Sequence, residues 1–361
     1  MPSPWRLALA LIVLAAALLA LHASGGAEAG DEPAFKAASG DVDCSGEVDA
    51  VDALRILRLV ARLDSGVPCP DAADVDCSGD VSATDAGSIL RHVVGFVWFI
   101  PPIGCPPIGE LHECGDPALP QEGTYIALGD SLSVGVGATD PSRAFVPRVH
   151  ACLGDGFELI NLGHSGDTSE QLLSHGHLAA AVAEVQARNG DQDPDNDVRL
   201  ITIEIGGNDL LGLFFSLVLP GTCPTVEVSL TRQQCVEALR SVLDALSANL
   251  EEAFSTLREA APGVPIVTFT LYNPLTGLAP GPAALADLAL EGIPDTAFPS
   301  AANDVIREGA MAAGIYVADV YPLFQKAELD YISGDYIHPN NTGYGVIAGA
   351  VLAAIGMRYE P

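Results

Sequence analysis

Basic residues are scarce in this chain of 361 residues: 16 Lys and Arg stand against 47 Asp and Glu, a net charge of −31. A surface so acidic repels a phosphate backbone or an anionic bilayer, which excludes nucleic acid as a partner. Long apolar runs are missing beyond the N-terminus, since Phe96 to Ile100 stops at Pro101-Pro102. No later segment therefore approaches the roughly 20 residues that span a bilayer. None of the eight cysteines stands in CxxC spacing, so zinc ribbons and fingers are out. The length leaves room for a sizeable core and rules out a mini-protein or a disordered chain.

The first residues read as an address. Arg6 precedes the apolar run Leu7 to Leu21, and small residues follow through Ala27-Glu28-Ala29. That order is a secretory signal, here residues 1–29, and it predicts an exported, extracellular protein. Cysteines in an exported chain point to disulfides, and these fall into regional groups: Cys44, Cys69, Cys77 and Cys105; Cys114 and Cys152; Cys223 and Cys235. Connectivity stays open. Cys223 and Cys235 bracket a proline-containing stretch that a bridge between them could staple.

Two acidic segments repeat at a period of 33 residues, Asp41 to Asp52 and Asp74 to Asp85. Each has oxygen side chains at its first, third and fifth places, glycine at the sixth for a sharp turn, and a carboxylate at the twelfth, the layout of an EF-hand loop. Each runs into an amphipathic stretch, Ala53 to Arg62 and Ala86 to Val94. Ca²⁺ takes six to eight oxygens. Asp41, Asp43, Ser45 and Asp52 supply side chains in the first loop, with the Glu47 carbonyl. Asp74, Asp76, Ser78 and Asp85 do so in the second, with the Asp80 carbonyl. Asp49 and Ser82 act directly or through water. On these residues the segment 41–105 resembles a type I dockerin, a small α-helical calcium-binding domain that in its family plugs into a cohesin module. Serine at both fifth places and cysteine at both fourth places depart from the family pattern, and fewer charges imply weaker Ca²⁺ binding.

Proline and glycine then mark a linker, 106–122. From Thr124 on, the apolar runs Tyr125 to Leu128, Phe157 to Leu162, Leu200 to Ile205, Ile266 to Leu271 and Ile315 to Val320 alternate with helical stretches such as Gln234 to Ala260 and Thr342 to Met357. Such alternation predicts βαβ units around a buried parallel sheet, with chemistry just beyond the strand ends. Gly129-Asp130-Ser131-Leu132-Ser133 follows the first run, Asn161-Leu162-Gly163-His164-Ser165-Gly166-Asp167 the second, Gly206-Gly207-Asn208-Asp209 the third, and Asp335-Tyr336-Ile337-His338 lies near the C-terminus. The first is no G-x-S-x-G elbow, because Ser133 holds the place of the last glycine, and it lacks the glycine-lysine signature of a phosphate loop.

All four blocks, in this order over residues 123–361, resemble the SGNH branch of the GDSL hydrolases. The resemblance implies an α/β fold, a three-layer αβα sandwich of SGNH or flavodoxin-like type around a mostly parallel five-stranded sheet. It implies Ser131 as nucleophile, His338 as general base and then acid, and Asp335 as the group that orients the ring. The Ser131 amide, the Gly163 amide and the Asn208 side chain would form the oxyanion hole. No cofactor is needed for such catalysis. The expected activity is hydrolysis of acyl esters, as an esterase or lipase. The alternatives are deacetylation of a polysaccharide and a non-catalytic binding or scaffolding role. Leu210 to Leu219 and Ala279 to Phe298 are expected as pocket wall or lid, Asp209 as a support for Asn208. His164, His175 and His177 read as surface or supporting groups, because His175-Gly176-His177 has no carboxylate at ligand spacing along the sequence.

Overall fold

The computed structural model describes residues 39–43, 48–76, 78–94, 108, 119–120, 122–276, 280–325 and 331–357. The expected signal 1–29, most of the expected linker, Ser45, Glu47, Ala279 and four cysteines (Cys44, Cys77, Cys105, Cys114) lie outside them. Among the described residues, no helix is long and apolar enough to cross a membrane.

The repeat extends from the loops into the core. Helices α1 (Ala50–Val60) and α2 (Ala83–Val93) pack through Val42, Ala53 and Ile56 of the first copy and Val75, Ala86 and Ile89 of the second, all buried. Each member of the first set precedes its counterpart by 33 positions. Both helices start three residues earlier than the apolar pattern indicates. Asp49 and Ser82 cap them, in reciprocal capping boxes with Asp52 and Asp85, so the last loop residues also form the first helical turn.

In the second unit, β1 (Gly123–Gly129), β2 (Phe157–Asn161), β3 (Val198–Glu204), β4 (Ile266–Phe269) and β5 (Tyr316–Ala318) make one all-parallel sheet in the order β2-β1-β3-β4-β5. All five expected runs are strands, their ends shifted by at most two residues. The helices are α3 (Ser131–Val134), α4 (Phe145–Leu153), α5 (Ser169–Ser174), α6 (His177–Arg188) and α7 (Gly207–Leu213). They continue as α8 (Val226–Thr231), α9 (Gln233–Ala260), α10 (Pro280–Leu290), α11 (Ala302–Ala313), α12 (Tyr321–Phe324) and α13 (Asn341–Ala354).

Side chains alternate across the sheet, which makes three layers. Ile126 and Leu128 of β1 join Ile201 and Ile203 of β3 in a core shared with α5, α6, α9, α10 and α11. Tyr125 and Ala127 face the opposite core, with α4, α12 and α13. Because β1 pairs with β2 on one side and β3 on the other, the strand order reverses direction here, and the carboxyl ends of these strands border a crevice.

Beyond β4 the buried Asn303 of α11 replaces the missing ladder. Its Oδ1 accepts from Leu271 N at 2.7 Å, and its Nδ2 donates to Leu271 O at 3.0 Å and to Glu291 Oε1 at 2.7 Å. Asn303→Ala leaves two buried backbone groups unpaired, each costing about 1–3 kcal/mol. Urea unfolding should show a loss of about 2–4 kcal/mol, and a loss under about 1 kcal/mol would contradict that role for Asn303.

Candidate active site

The site is assembled at the carboxyl ends of β2, β1 and β3. Ser131 opens α3 directly after β1, and the Asp130 side chain caps that helix by accepting from Leu132 N at 3.1 Å. Glu204, the last residue of β3 and 1% exposed, holds the turn from below. Its Oε1 accepts from Asp130 N at 2.9 Å and from Ser133 N and Ser133 Oγ, each at 3.1 Å. Gly129 has φ +147°, and a Cβ there would lie 2.4 Å from Glu204 O and 2.5 Å from Ser133 Oγ, so only glycine lets the two strand ends close.

Sequence-distant groups meet at Ser131. His338 Nε2 lies 2.9 Å from Ser131 Oγ, and His338 Nδ1 lies 2.6 Å from Asp335 Oδ2. The other carboxylate oxygen accepts from Ile337 N and His338 N at 2.9 Å and from Ser333 Oγ at 2.8 Å. Tyr336 between them has φ +62°, and this left-handed residue folds the three-residue spacing back so that carboxylate and ring meet. Burial alone would raise the Asp335 carboxyl. The His338 hydrogen bond and charge, with the two amides, overcome that and hold it well below the usual carboxylate range.

The remaining predicted donors lie on the neighbouring loops. Ser131 N sits at the first helical position, where no intrahelical acceptor exists. Gly163 N donates to Asn161 Oδ1 at 3.0 Å, and Asn161 Nδ2 donates in turn to Ser133 O at 2.7 Å. Asn208 Nδ2 donates to Asp130 Oδ2 at 3.0 Å and Asp167 O at 2.9 Å. Asp209 corrects the sequence reading. It does not touch the Asn208 amide but accepts from Ser169 N at 2.9 Å and Ser169 Oγ at 2.7 Å, pinning the start of α5.

Ser131, Asn208 and His338 border a cavity of about 180 Å³ whose wall is mainly apolar. Leu211, Phe214 and Leu217 of the first expected wall segment line it, as do Leu285 and Leu288 of the second, and Cys223 and Cys235. These two cysteines form a disulfide that ties the segment after Phe214–Val218 to α9. Cys69 and Cys152 are also disulfide-bonded.

In the first unit, the carboxylates of Asp41, Asp43 and Asp52 come within 4.8 Å of one another, as do those of Asp74, Asp76 and Asp85. Asp74 also accepts from Ser78 N at 3.0 Å and Gly79 N at 2.9 Å, the wrapping of a metal loop around its first ligand. Burial and the charges of Asp85 and Asp76 push its carboxyl up to about 7. Asp49 Oδ1 accepts from Val51 N at 2.6 Å, Ser82 Oγ from Thr84 N at 3.1 Å, and Asp80 O from Ser78 Oγ at 3.2 Å. A second correction concerns His175 and His177: Asp167 lies beside both, a carboxylate that the sequence separates from them by a helix.

Hydroxyl, imidazole and carboxylate in one chain, opening on apolar space, are equipment for acyl transfer, and the class is that of the serine ester hydrolases. Residues 127–346 match the model of the GDSL-like Lipase/Acylhydrolase family, and the chain belongs to that family. Residues 39–93 match the Dockerin type I domain. The spore germination lipase LipC of Bacillus licheniformis is 27% identical over 234 residues, 64% of this chain and 95% of that protein. The uncharacterized protein YpmR of Bacillus subtilis is 25% identical over 236 residues, 63% and 80% of the two chains. Among solved structures, a lipase from the goat rumen metagenome aligns with TM-score 0.47 at 23% identity, over 64% of this chain and 97% of that one.

Sequence reasoning passed over Glu204, although a lone charge at the end of the apolar run Leu200 to Ile205 is a signal. Burial first, then the charge of Asp130, pushes its carboxyl well above the ordinary glutamate range. The unfolded chain therefore releases this proton first, and stability present at low pH is lost as pH rises through the folded value. The urea midpoint of the wild type should fall between pH 5 and pH 9, as proton linkage requires when the folded state holds about one proton more than the unfolded state. Glu204→Gln, uncharged and still an acceptor, should flatten that fall; an identical slope in the variant would remove Glu204 as its source.

Proposed function

We propose that the chain is an exported serine esterase or lipase with an acyl-binding cavity, carried behind a calcium-stabilised dockerin unit. The observation that carries this reading is the 2.9 Å and 2.6 Å chain from Ser131 Oγ through His338 to Asp335 at the mouth of an apolar cavity. Ser131 Oγ attacks the ester carbonyl while His338 Nε2 takes its proton, and Asp335 keeps the Nδ1 proton in place. The carbonyl oxygen becomes an oxyanion, met by Ser131 N, Gly163 N and Asn208 Nδ2, and His338 then protonates the leaving alcohol. Water repeats the sequence on the acyl-enzyme. Gly163 and Asn208 have internal partners at rest, so substrate must exchange for Asn161 and Asp130. Each donor so placed is worth about 2.7–4 kcal/mol in the transition state.

The apolar wall favours acyl chains longer than acetyl. Each methylene buried contributes about 0.8 kcal/mol, roughly four-fold in kcat/KM. Nitrophenyl esters from acetate to palmitate should therefore give an optimum beyond acetate, with Ser131→Ala slower by about 10⁴-fold or more. An acetate optimum would favour the carbohydrate acetyl esterase reading. Retained activity in Ser131→Ala would refute the nucleophile, and inactivity of the wild type on every ester would favour the scaffold reading.

Calcium fits the first unit, since its two clusters offer only oxygens and pile up buried carboxylates that a hard cation neutralises. Asp41, Asp43, Ser45, Asp49, Asp52 and the Glu47 carbonyl would hold one ion. Asp74, Asp76, Ser78, Ser82, Asp85 and the Asp80 carbonyl would hold the other. Exposed Val51, Leu54 and Leu57 on α1 support a protein-docking face for a cohesin-type partner. Residues 1–29 are assigned to the export signal, 41–105 to the dockerin unit, 106–122 to the linker and 123–361 to the hydrolase. Ions at 100 Kd stabilise by about 2.7 kcal/mol each. Removing Ca²⁺ alone, other metals held constant, should therefore lower the first unit's melting temperature while ester hydrolysis changes by less than about two-fold. Abolished hydrolysis would place a Ca²⁺ requirement in the second unit.

A further inference from the structure

Three of the chain's eight histidines converge on one carboxylate, and none of them lines the cavity. His164 comes from the loop after β2, His175 from the end of α5, and His177 from the first position of α6. His164 Nδ1 and His175 Nδ1 lie 2.9 and 3.2 Å from Asp167 Oδ1, and His177 Nε2 lies 3.2 Å from Asp167 Oδ2. One donor atom from each residue falls within a sphere in which all are at most 4.8 Å apart.

The carboxylate supplies a second, independent observation. Asp167 is 2% exposed, and its Oδ2 accepts no hydrogen bond, the His177 ring being close but misaligned. A buried, unpaired carboxylate oxygen is expensive. None of the three rings hydrogen-bonds any other group among the described residues, so their nitrogens have no competing task.

We propose that His164, Asp167, His175 and His177 form a binding site for a borderline divalent cation, for which Zn²⁺ is the best match. Three imidazole nitrogens and one carboxylate oxygen make a complete tetrahedral set, and such a set selects Zn²⁺ over Ca²⁺, which needs six to eight oxygens. Zn–N distances of about 2.0–2.1 Å put tetrahedral ligands about 3.3 Å apart. Rotation of the partly exposed rings closes the cluster to that size, since their side chains are 57%, 46% and 26% accessible. With four protein ligands no position is left for substrate, so the ion is structural. It locks the loop that carries Gly163 and the Asp167 carbonyl, to which Asn208 Nδ2 donates at 2.9 Å. That link to the oxyanion donors rests on the proposed catalytic reading; the binding site itself does not.

The test uses the full chain, stripped with chelator and then held in excess Ca²⁺ so that the oxygen loops are filled. Titration with ZnCl₂ by calorimetry should give one equivalent at micromolar or tighter Kd and raise the second unit's melting temperature. His175→Ala/His177→Ala should weaken binding at least 100-fold and abolish the Zn²⁺-induced rise, while melting like the chelated wild type when no metal is present. Should the double variant fail to fold, His164→Asn, at the most exposed ligand, should weaken binding at least 10-fold. No Zn²⁺ uptake by the wild type, or uptake unchanged in a folded variant, would overturn the proposal.

Discussion

A carboxyl group sealed under the Ser131 turn, that of Glu204, is the constraint on which the site depends. Glu204 is 1% exposed, so the acid is held by three donors from the turn itself and by retention of its proton beside Asp130. Those donors belong to Asp130 and Ser133, on either side of Ser131, so the end of β3 fixes the turn that follows β1. The neighbouring loops are tied to the same turn. Asn161 joins β2 to it through Ser133 O, and Asn208 joins α7 to it through Asp130. Two carboxyls so close cannot both ionise at ordinary cost. The more strongly raised Glu204 is the one that stays neutral, and this lowers the negative potential beneath the Ser131 turn.

The imidazole arrives from 207 residues away, and the fold holds it by bonds that are equally remote in sequence. Tyr344 of α13 donates to Val136 O at 2.6 Å, while the Asn341 amide accepts from Thr139 N at 3.0 Å and donates to Thr139 Oγ1 at 2.8 Å. Tyr272, stacked on Phe324, donates to Ile337 O at 2.7 Å. Together these grip both sides of the turn whose Tyr336 takes a left-handed conformation costing about 1–2 kcal/mol. The three bonds accepted by Asp335 Oδ1 offset that strain and leave Oδ2 to the ring. The carboxylate thus shapes the loop as well as the tautomer.

Local order was legible in the sequence, and contact between distant loops was not. Short apolar runs located all five strands within two residues, and β1, β3 and β4, buried on both faces, are the ones that must be apolar almost throughout. The 33-residue repeat located both acidic loops, and its apolar positions, such as Val42 with Val75, were there to be read as a core. Helix starts were missed by three residues because Asp49 and Ser82 serve the loop and the helix together. Asp209 was assigned to its neighbour Asn208, yet its partner is Ser169, and nothing in spacing links residues 40 apart. The carboxylate beside His175 and His177 escaped for the same reason: α5 must fold before Asp167 meets them. Distant residues such as Ser131 and His338 were grouped through the family resemblance of their blocks, and contacts outside those blocks needed the sheet.

The Ser131 turn and the cavity wall occupy different tiers of this topology. Ser131, Gly163 and Asn208 follow the ends of β1, β2 and β3 within a few residues, and the Ser131 turn is fixed by the Glu204 clamp. The cavity wall comes from the crossovers: α7, Phe214–Val218, α8 and the Cys223 bridge lie between β3 and β4, and α10 lies between β4 and β5. The crossovers are anchored on the sheet by buried α9 and α10 positions such as Leu239, Leu246 and Leu288, and between those anchors their length and apolar content can change without shifting a strand. The disulfide matters in that light. Phe214–Val218 departs from α-helical hydrogen bonding and its side chains are only partly buried, so the covalent tie to α9 supplies the fixity that a core would otherwise give. The cavity wall is therefore rigid at its base and adaptable at its rim, while the Ser131 turn remains under the control of the sheet.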